Sequence, residues 1–264
     1  MNAIDAHTHA FPDSLAGRAI AALEDQCTWK AVAGGTVADL LASMDAAGVD
    51  VSVLCTIATK PGQAAGILSW CEQIRSERIV PLPSVHPDAP DAAKWITTFA
   101  EAGFAGIKLH PMYQDFYADE PRMDAIYAAA QQHGVFVTLH CGRDIGFPQD
   151  DDRASPQRIA GLKRRFGDLK LICTHMGGWQ MWDQAEQHLI GSDVMLETSF
   201  SLDKLSPARA AEMIRRHGCR RVMLGSDWPW SRQDNAIEYV RKLPLSTEET
   251  DAILHHSAAR LLGL

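Results

Sequence analysis

Two histidines separated by one threonine stand almost at the start of the chain, His7 and His9 in "IDAHTHAF". In an extended strand, residues two apart point to the same side, so both imidazoles can approach one ion while Thr8 points away. A lone pair of this kind also suits a plain surface turn. The decision rests on the other polar residues. His86 in "SVHP", Lys108 and His110 in "IKLHP", His140 in "TLHCG", His175 in "THMGG", Glu197 to Ser199 in "LETS" and Asp227 in "GSDW" each close a short apolar run. Six of the 11 histidines (His7, His9, His86, His110, His140 and His175) therefore fall at the ends of expected strands. Imidazole and carboxylate donors suit Zn(II) first, and also Mn(II), Fe(II) or Co(II), as one ion or two. Such an ion makes hydroxide available near neutral pH.

The elements that must carry these residues form a rhythm. Short β-branched runs alternate with longer segments of helical period. Strands are expected near 2–6, 49–56, 79–87, 104–111, 135–142, 169–178, 193–200 and 219–230. Helices are expected between them and at 234–242 and 247–262. Thr36 is an N-cap for "VADLLASMDAAG", Gly48 ends that helix, and Pro156 after Ser155 opens another. Prolines in "IVPLPSVHP" are awkward for a central strand. About eight such units predict an α/β fold, a (β/α)8 TIM barrel, as a single domain over 1–264. The competing open sheet would need a glycine-rich phosphate turn, and G-x-G-x-x-G is absent. In a barrel, all the strand ends named above face one rim.

The motifs "DAHTHAFPD", "GIKLHP", "TLHCG", "THMGG" and "LGSDWPW" resemble the metal-dependent amidohydrolase superfamily, in order and over the whole chain. The branch they are most similar to is the amidohydrolase-related group that also contains decarboxylases of the aminocarboxymuconate-semialdehyde type. The resemblance implies metal ligands at His7, His9, His140 and Asp227. It makes His175 either a ligand or a group that hydrogen-bonds substrate or water, and Asp227 with His175 the catalytic pair. Lys108 falls where some members carry a carboxylated lysine bridging two ions; unmodified, it would bind a substrate carboxylate. The expected reaction is hydrolysis of an amide, lactone or related ester-like bond, with Asp227 accepting a proton from water and returning it to the leaving group. The alternative is non-oxidative decarboxylation of a small carboxylated molecule, with Asp227 giving a proton to carbon.

Loops after the strands supply the expected specificity. Arg143 follows His140, Trp179 and Trp182 follow His175, and Trp228, Trp230 and Arg232 follow Asp227. Lys108, His110, Arg143 and Trp228 are the expected substrate contacts, with Arg232 a further partner for a carboxylate. Glu197 is read equally as a residue facing the substrate or as a partner that orients a ligand. His133, His188, His217, His255 and His256 lie on helices and are read as solvated or packing residues.

Bulk composition narrows the partners. A net charge of -8 repels phosphate backbones and argues against a nucleic acid. No apolar run reaches the roughly 20 residues that cross a bilayer, and no signal peptide is expected. Six scattered cysteines without a C-x-x-C pair point to free thiols in a reducing cytoplasm. What remains is a small-molecule substrate, and self-association into a homo-oligomer.

Overall fold

The computed structural model describes residues 3–264, so Asn2 of the first expected strand lies outside the described residues. The backbone resolves into two compact units. One holds the chain up to Leu54 with Ser76–Val80 and Leu196–Leu264; the other holds Cys55–Arg75 and Pro81–Met195.

The first unit begins with β1 (Ala3–Thr8), every residue of which is buried. Helices α1 (Asp13–Gln26) and α2 (Val37–Ala47) lead to β2 (Val49–Cys55), whose last residue opens the second unit. Thr36 caps α2 in a reciprocal capping box with Asp39, and Gly48 closes it in the left-handed conformation, as its sequence predicts. The sequence shows α1 only as an unbounded helical piece, because Pro12 at its start makes no side-chain cap. Strand β1 pairs parallel with β2, from Ala3 with Val49 to Thr8 with Leu54, and the register shifts between Asp5 and Thr8.

The later part of this unit contains β7 (Met195–Glu197), whose first residue ends the second unit, α8 (Pro207–His217), β8 (Val222–Met223) and α9 (Gln233–Arg241). It ends in α10 (Thr247–Asp251), a π-helical stretch over Ala252–His256 and α11 (Ser257–Leu262). Strand β7 pairs parallel with β8. Strand β8 returns to the start of the chain: Ala6 donates to Leu224 at 2.8 Å, Asp227 to His7 at 2.8 Å and His9 to Trp228 at 2.6 Å. First and last strands are thus neighbours, which places the end of "LGSDWPW" beside "HTH".

In the second unit, α3 (Ala64–Ile74), α4 (Ala92–Glu101), α5 (Asp124–His133), α6 (Pro156–Arg165) and α7 (Trp182–His188) alternate with strands. These are the end of β3 (Ile79–Leu82), β4 (Gly106–Leu109), β5 (Phe136–Leu139) and β6 (Leu171–Cys173). Strand β4 pairs parallel with β5, and β5 with β6. Proline lacks the N–H that a ladder uses, but the carbonyl of Pro83, just past the end of β3, still serves: Lys108 N–H donates to it at 3.0 Å. The strands are shorter than their apolar runs, since each run continues into the loop that holds its polar residue.

Gln114 ties the loops after these strands together. It is wholly buried; its amide accepts from His110 N–H at 2.8 Å and donates to the carbonyls of Ala58 at 3.0 Å and Val85 at 2.9 Å. Leucine would fit the space and leave these groups unpaired. Gln114→Leu is expected to lower stability by about 3 kcal/mol, given about 1–3 kcal/mol for each buried polar group left unsatisfied. Urea unfolding should show a lower midpoint with unchanged slope.

Candidate metal centre

In the first unit, His7, His9 and Asp227 converge. His7 Nε2 lies 3.1 Å from His9 Nε2 and 3.4 Å from Asp227 Oδ1, and His9 Nε2 lies 3.1 Å from the same oxygen. Thr8 turns away and donates its hydroxyl to Val53 O at 2.8 Å, as strand alternation predicts. The three donor atoms fit one divalent ion. Ligands about 2.0–2.2 Å from a shared centre stand about 3.0–3.5 Å apart.

The surroundings prepare His7 for that role. Its Nδ1 lies 3.0 Å from Glu197 Oε1, and both side chains are buried. Glu197 also accepts from Ser199 Oγ at 2.8 Å and from Ser199 N–H at 2.7 Å. A carboxylate at Nδ1 puts the ring proton there and leaves the Nε2 lone pair for an ion. Gly225 makes room for this carboxylate, because a Cβ there would stand 1.9 Å from Glu197 Oε2. Asp227 has a positive φ of 62°, uncommon for a residue with a side chain, and is held there by its hydrogen bond to His7 O.

A carboxylate absent from the expected site lies beneath these ligands. Asp5 is wholly buried and accepts from the N–H groups of His7 and Ser226 at 3.1 and 3.0 Å. Burial pushes its pKa up to about 6, against hydrogen bonds from Ser226, Gln233 and His7 that favour the ionised form. Its only sequence signal is its place two residues before His7.

The same unit holds a cavity of about 510 Å3 bordered by Thr198, Gly225 and Ser226; His7, His9, Glu197 and Asp227 do not line it. Trp29, Phe200 and Trp230 wall it. The Trp29 and Phe200 rings meet edge-on at 5.2 Å, and Trp29 Nε1 donates to Trp230 O at 2.7 Å. Arg232 also lines it, paired with Asp234 at 2.5 Å. Trp228, an expected substrate contact, is wholly buried and does not line this cavity.

The second unit brings together His140, His175 and His110. His140 Nε2 lies 3.0 Å from Arg143 O, a pure acceptor, so it carries the proton and leaves Nδ1 as a lone pair 3.2 Å from His175 Nε2. Burial, His110, His175 and Lys108 hold the His140 pKa well below the usual imidazole value, so the ring is neutral at pH 7. His175 has a positive φ of 57°. His110 stacks on His140 at 4.0 Å and reaches Asp144 Oδ2 at 3.3 Å. Asp144 was not among the expected residues; its position four after His140 was the available signal. Lys108 is wholly buried on β4. Among the described residues no side chain pairs with the Arg143 guanidinium. His86 is buried, and its Nδ1 accepts from Asp88 N–H at 3.1 Å. Of the helical histidines, His217 is wholly buried and packs in the core. Of the five ligands implied by the resemblance, His7, His9 and Asp227 belong to the first unit, and His140 and His175 to the second.

Glu197→Gln tests the support of His7. An amide nitrogen would face either the His7 ring proton and Ser199 hydroxyl or the Ser199 N–H. The variant is expected to bind a divalent ion about 10- to 100-fold more weakly, in line with the loss of a hydrogen-bonding partner behind a ligand. Competition with a chromogenic chelator measures this; unchanged affinity would remove Glu197 from the centre.

Comparisons with known proteins follow the same lines. No curated protein matches the chain significantly. An uncharacterised TIM-barrel protein from Bordetella bronchiseptica is 18% identical, with 100% of this chain and 99% of that one covered and a TM-score of 0.78. A 5-carboxyvanillate decarboxylase from Sphingomonas paucimobilis is 18% identical, with 100% and 99% covered and a TM-score of 0.73. A 5-carboxyvanillate decarboxylase from Novosphingobium aromaticivorans, complexed with manganese and a nitrobenzoic acid, is 15% identical, with 100% and 96% covered and a TM-score of 0.73. These likenesses show the expected (β/α)8 barrel fold. The amidohydrolase family model matches residues 4–264, nearly the whole sequence, and the chain belongs to that family.

Proposed function

We propose that this protein is a divalent-metal-dependent, non-oxidative decarboxylase of small aromatic carboxylates. The observation that carries the reading is the full-length likeness to solved carboxyvanillate decarboxylases, one of them with manganese. The His7, His9 and Asp227 donor set supports it. A cavity of about 510 Å3 falls in the size range of small-molecule sites, and its rings suit a flat substrate. Hydrolysis, the first reading of the sequence, becomes the second: the same donors serve it, but the solved decarboxylases favour the other.

The bound ion supplies Lewis-acid charge for the substrate's oxygen atoms. Zn(II) and Mn(II) are the ions to test, the second because it occupies the Novosphingobium structure. Asp227, in its protonated form, gives its proton to the ring carbon that bears the carboxylate. The bond between that carbon and the carboxylate then breaks, carbon dioxide leaves, and the electron pair returns to the ring. His7 and His9 would hold the ion with Asp227, and His140 and His175 would keep the ligand or hydrogen-bonding roles the resemblance implies. Arg143 pairs with a substrate carboxylate, and Lys108 and His110 contribute to substrate binding. Six scattered cysteines without a C-x-x-C pair support a cytoplasmic location. No described helix is long and apolar enough to cross a membrane.

Metal-loaded protein should release carbon dioxide from hydroxylated or methoxylated benzoates without incorporating solvent oxygen. Hydrolysis of lactones or N-acyl compounds with no carbon dioxide release would overturn the reading. Asp227→Asn should lower turnover by about 10²–10⁴-fold, the range for loss of a general acid or base. Near-normal turnover in that variant would contradict its proton-transfer role.

A further inference from the structure

We infer that Asp5 is a positioning residue that clamps the ligand-bearing ends of β1 and β8 and thereby sets the affinity of the centre for its ion. The inference rests on the metal reading of His7, His9 and Asp227 and adds to it a residue that touches neither ion nor substrate.

Both strand ends depart from regular structure where their ligands emerge. The register of β1 against β2 shifts between Asp5 and Thr8, and Asp227 takes a left-handed backbone conformation. A regular ladder cannot serve every backbone donor through such irregularities, and buried N–H groups are seldom left unpaired. Asp5 serves two of them with one oxygen. Its Oδ1 accepts from the N–H of His7, itself a ligand, and from the N–H of Ser226, the residue before Asp227.

Its Oδ2 is fixed as well. It accepts from Ser226 Oγ at 2.5 Å and from Gln233 Nε2 at 2.9 Å. The direction at Ser226 is determined, because its Oγ already accepts from Trp228 N–H at 3.0 Å and so gives its own proton to Asp5. Gln233 in turn donates to Ser52 Oγ at 3.1 Å. The carboxylate thus receives four donors from β1, the end of β8 and the start of α9, all within the first unit. Rotation of its plane is blocked from every side. The separation of 3.4 Å between His7 Nε2 and Asp227 Oδ1 is inherited from this arrangement and from the bond of Asp227 N–H to His7 O.

Alanine and asparagine separate the clamp from simple stability. Asp5→Ala leaves the His7 and Ser226 N–H groups without an acceptor. Asp5→Asn keeps one oxygen facing both; its new amide can donate to Ser226 Oγ once that hydroxyl turns its proton away, and to Gln233 Oε1 once that side chain flips. Gln233 Oε1 is buried and has no hydrogen-bond partner among the described residues. Leu40, wholly buried on α2, provides a control for destabilisation alone.

The experiment titrates apoprotein with Mn(II) and Zn(II) against a chromogenic chelator and records the Tm of each apoprotein. Asp5→Ala is expected to bind about 10- to 100-fold more weakly, the range for loss of groups that orient ligands. Asp5→Asn should return to within about threefold of wild type, well short of that range. Leu40→Ala should lower the Tm and keep wild-type affinity. Where Asp5→Ala does not fold, Ser226→Ala, which removes the hydroxyl between Asp5 and Trp228, should weaken binding in the same direction. Wild-type affinity in Asp5→Ala, or in Ser226→Ala if the former fails to fold, overturns the clamp. So does an equal loss in Leu40→Ala. Wild-type protein that binds neither ion overturns the metal reading instead.

Discussion

Two imidazole nitrogens and a carboxylate oxygen held 3.1–3.4 Å apart form a concentrated set of lone pairs. Such a set is stable only with a proton or a cation among its members, and it does not assemble unless the backbone forces it. The first unit is organised around that demand. Glu197 fixes the ring proton of His7 on the far nitrogen, Gly225 leaves space for Glu197, and Asp5 holds the two strand ends together. Glu197 and Asp5 are polar groups buried only because their neighbours satisfy them, which is why they occur with those neighbours.

The second unit meets a related demand in another way. His140 is deprived of its charge by burial and by the positive or ionisable groups around it. Its ring is oriented by a backbone carbonyl rather than a carboxylate. His110 lies flat against it and takes Asp144 as its own partner. A neutral imidazole with one nitrogen committed to a carbonyl is a ligand or hydrogen-bond acceptor, not a cation. The residues after His140 therefore do more than connect strand to helix: Arg143 O sets the tautomer, and Asp144 steadies the stacked ring.

Positive φ at His175 and Asp227 belongs to the same pattern. Both residues stand where a strand run gives way to its loop, and a left-handed turn there redirects the side chain away from simple alternation. Asp227 is held in that turn by strand-to-strand hydrogen bonding, so the strain is offset by the pairing of β8 with β1. Its neighbour Trp228 is locked by the same pairing and fills the core, while Trp230, two residues on, reaches the cavity. Counting along the loop could not separate these two tryptophans, since their roles follow from burial.

The linear chain already carried the architecture and the donor types. Alternating β-branched and helical periods, the Thr36 cap and Gly48 stop, and histidines at run ends are local properties, readable within a few residues. His7 and His9 needed only strand geometry to be seen as a pair. The contacts that make them a centre are not local: Glu197 reaches His7 across 190 residues, and Asp5 reaches Ser226 across 221. Which carboxylate supports a ligand, and which merely caps a turn, depends on parallel register and on the irregularities of β1 and β8. Those arise only when the first and last strands are hydrogen-bonded to each other. Asp5 and Asp144 were hidden for that reason: each looks like an ordinary acidic residue near a histidine until folding decides which donors it must satisfy.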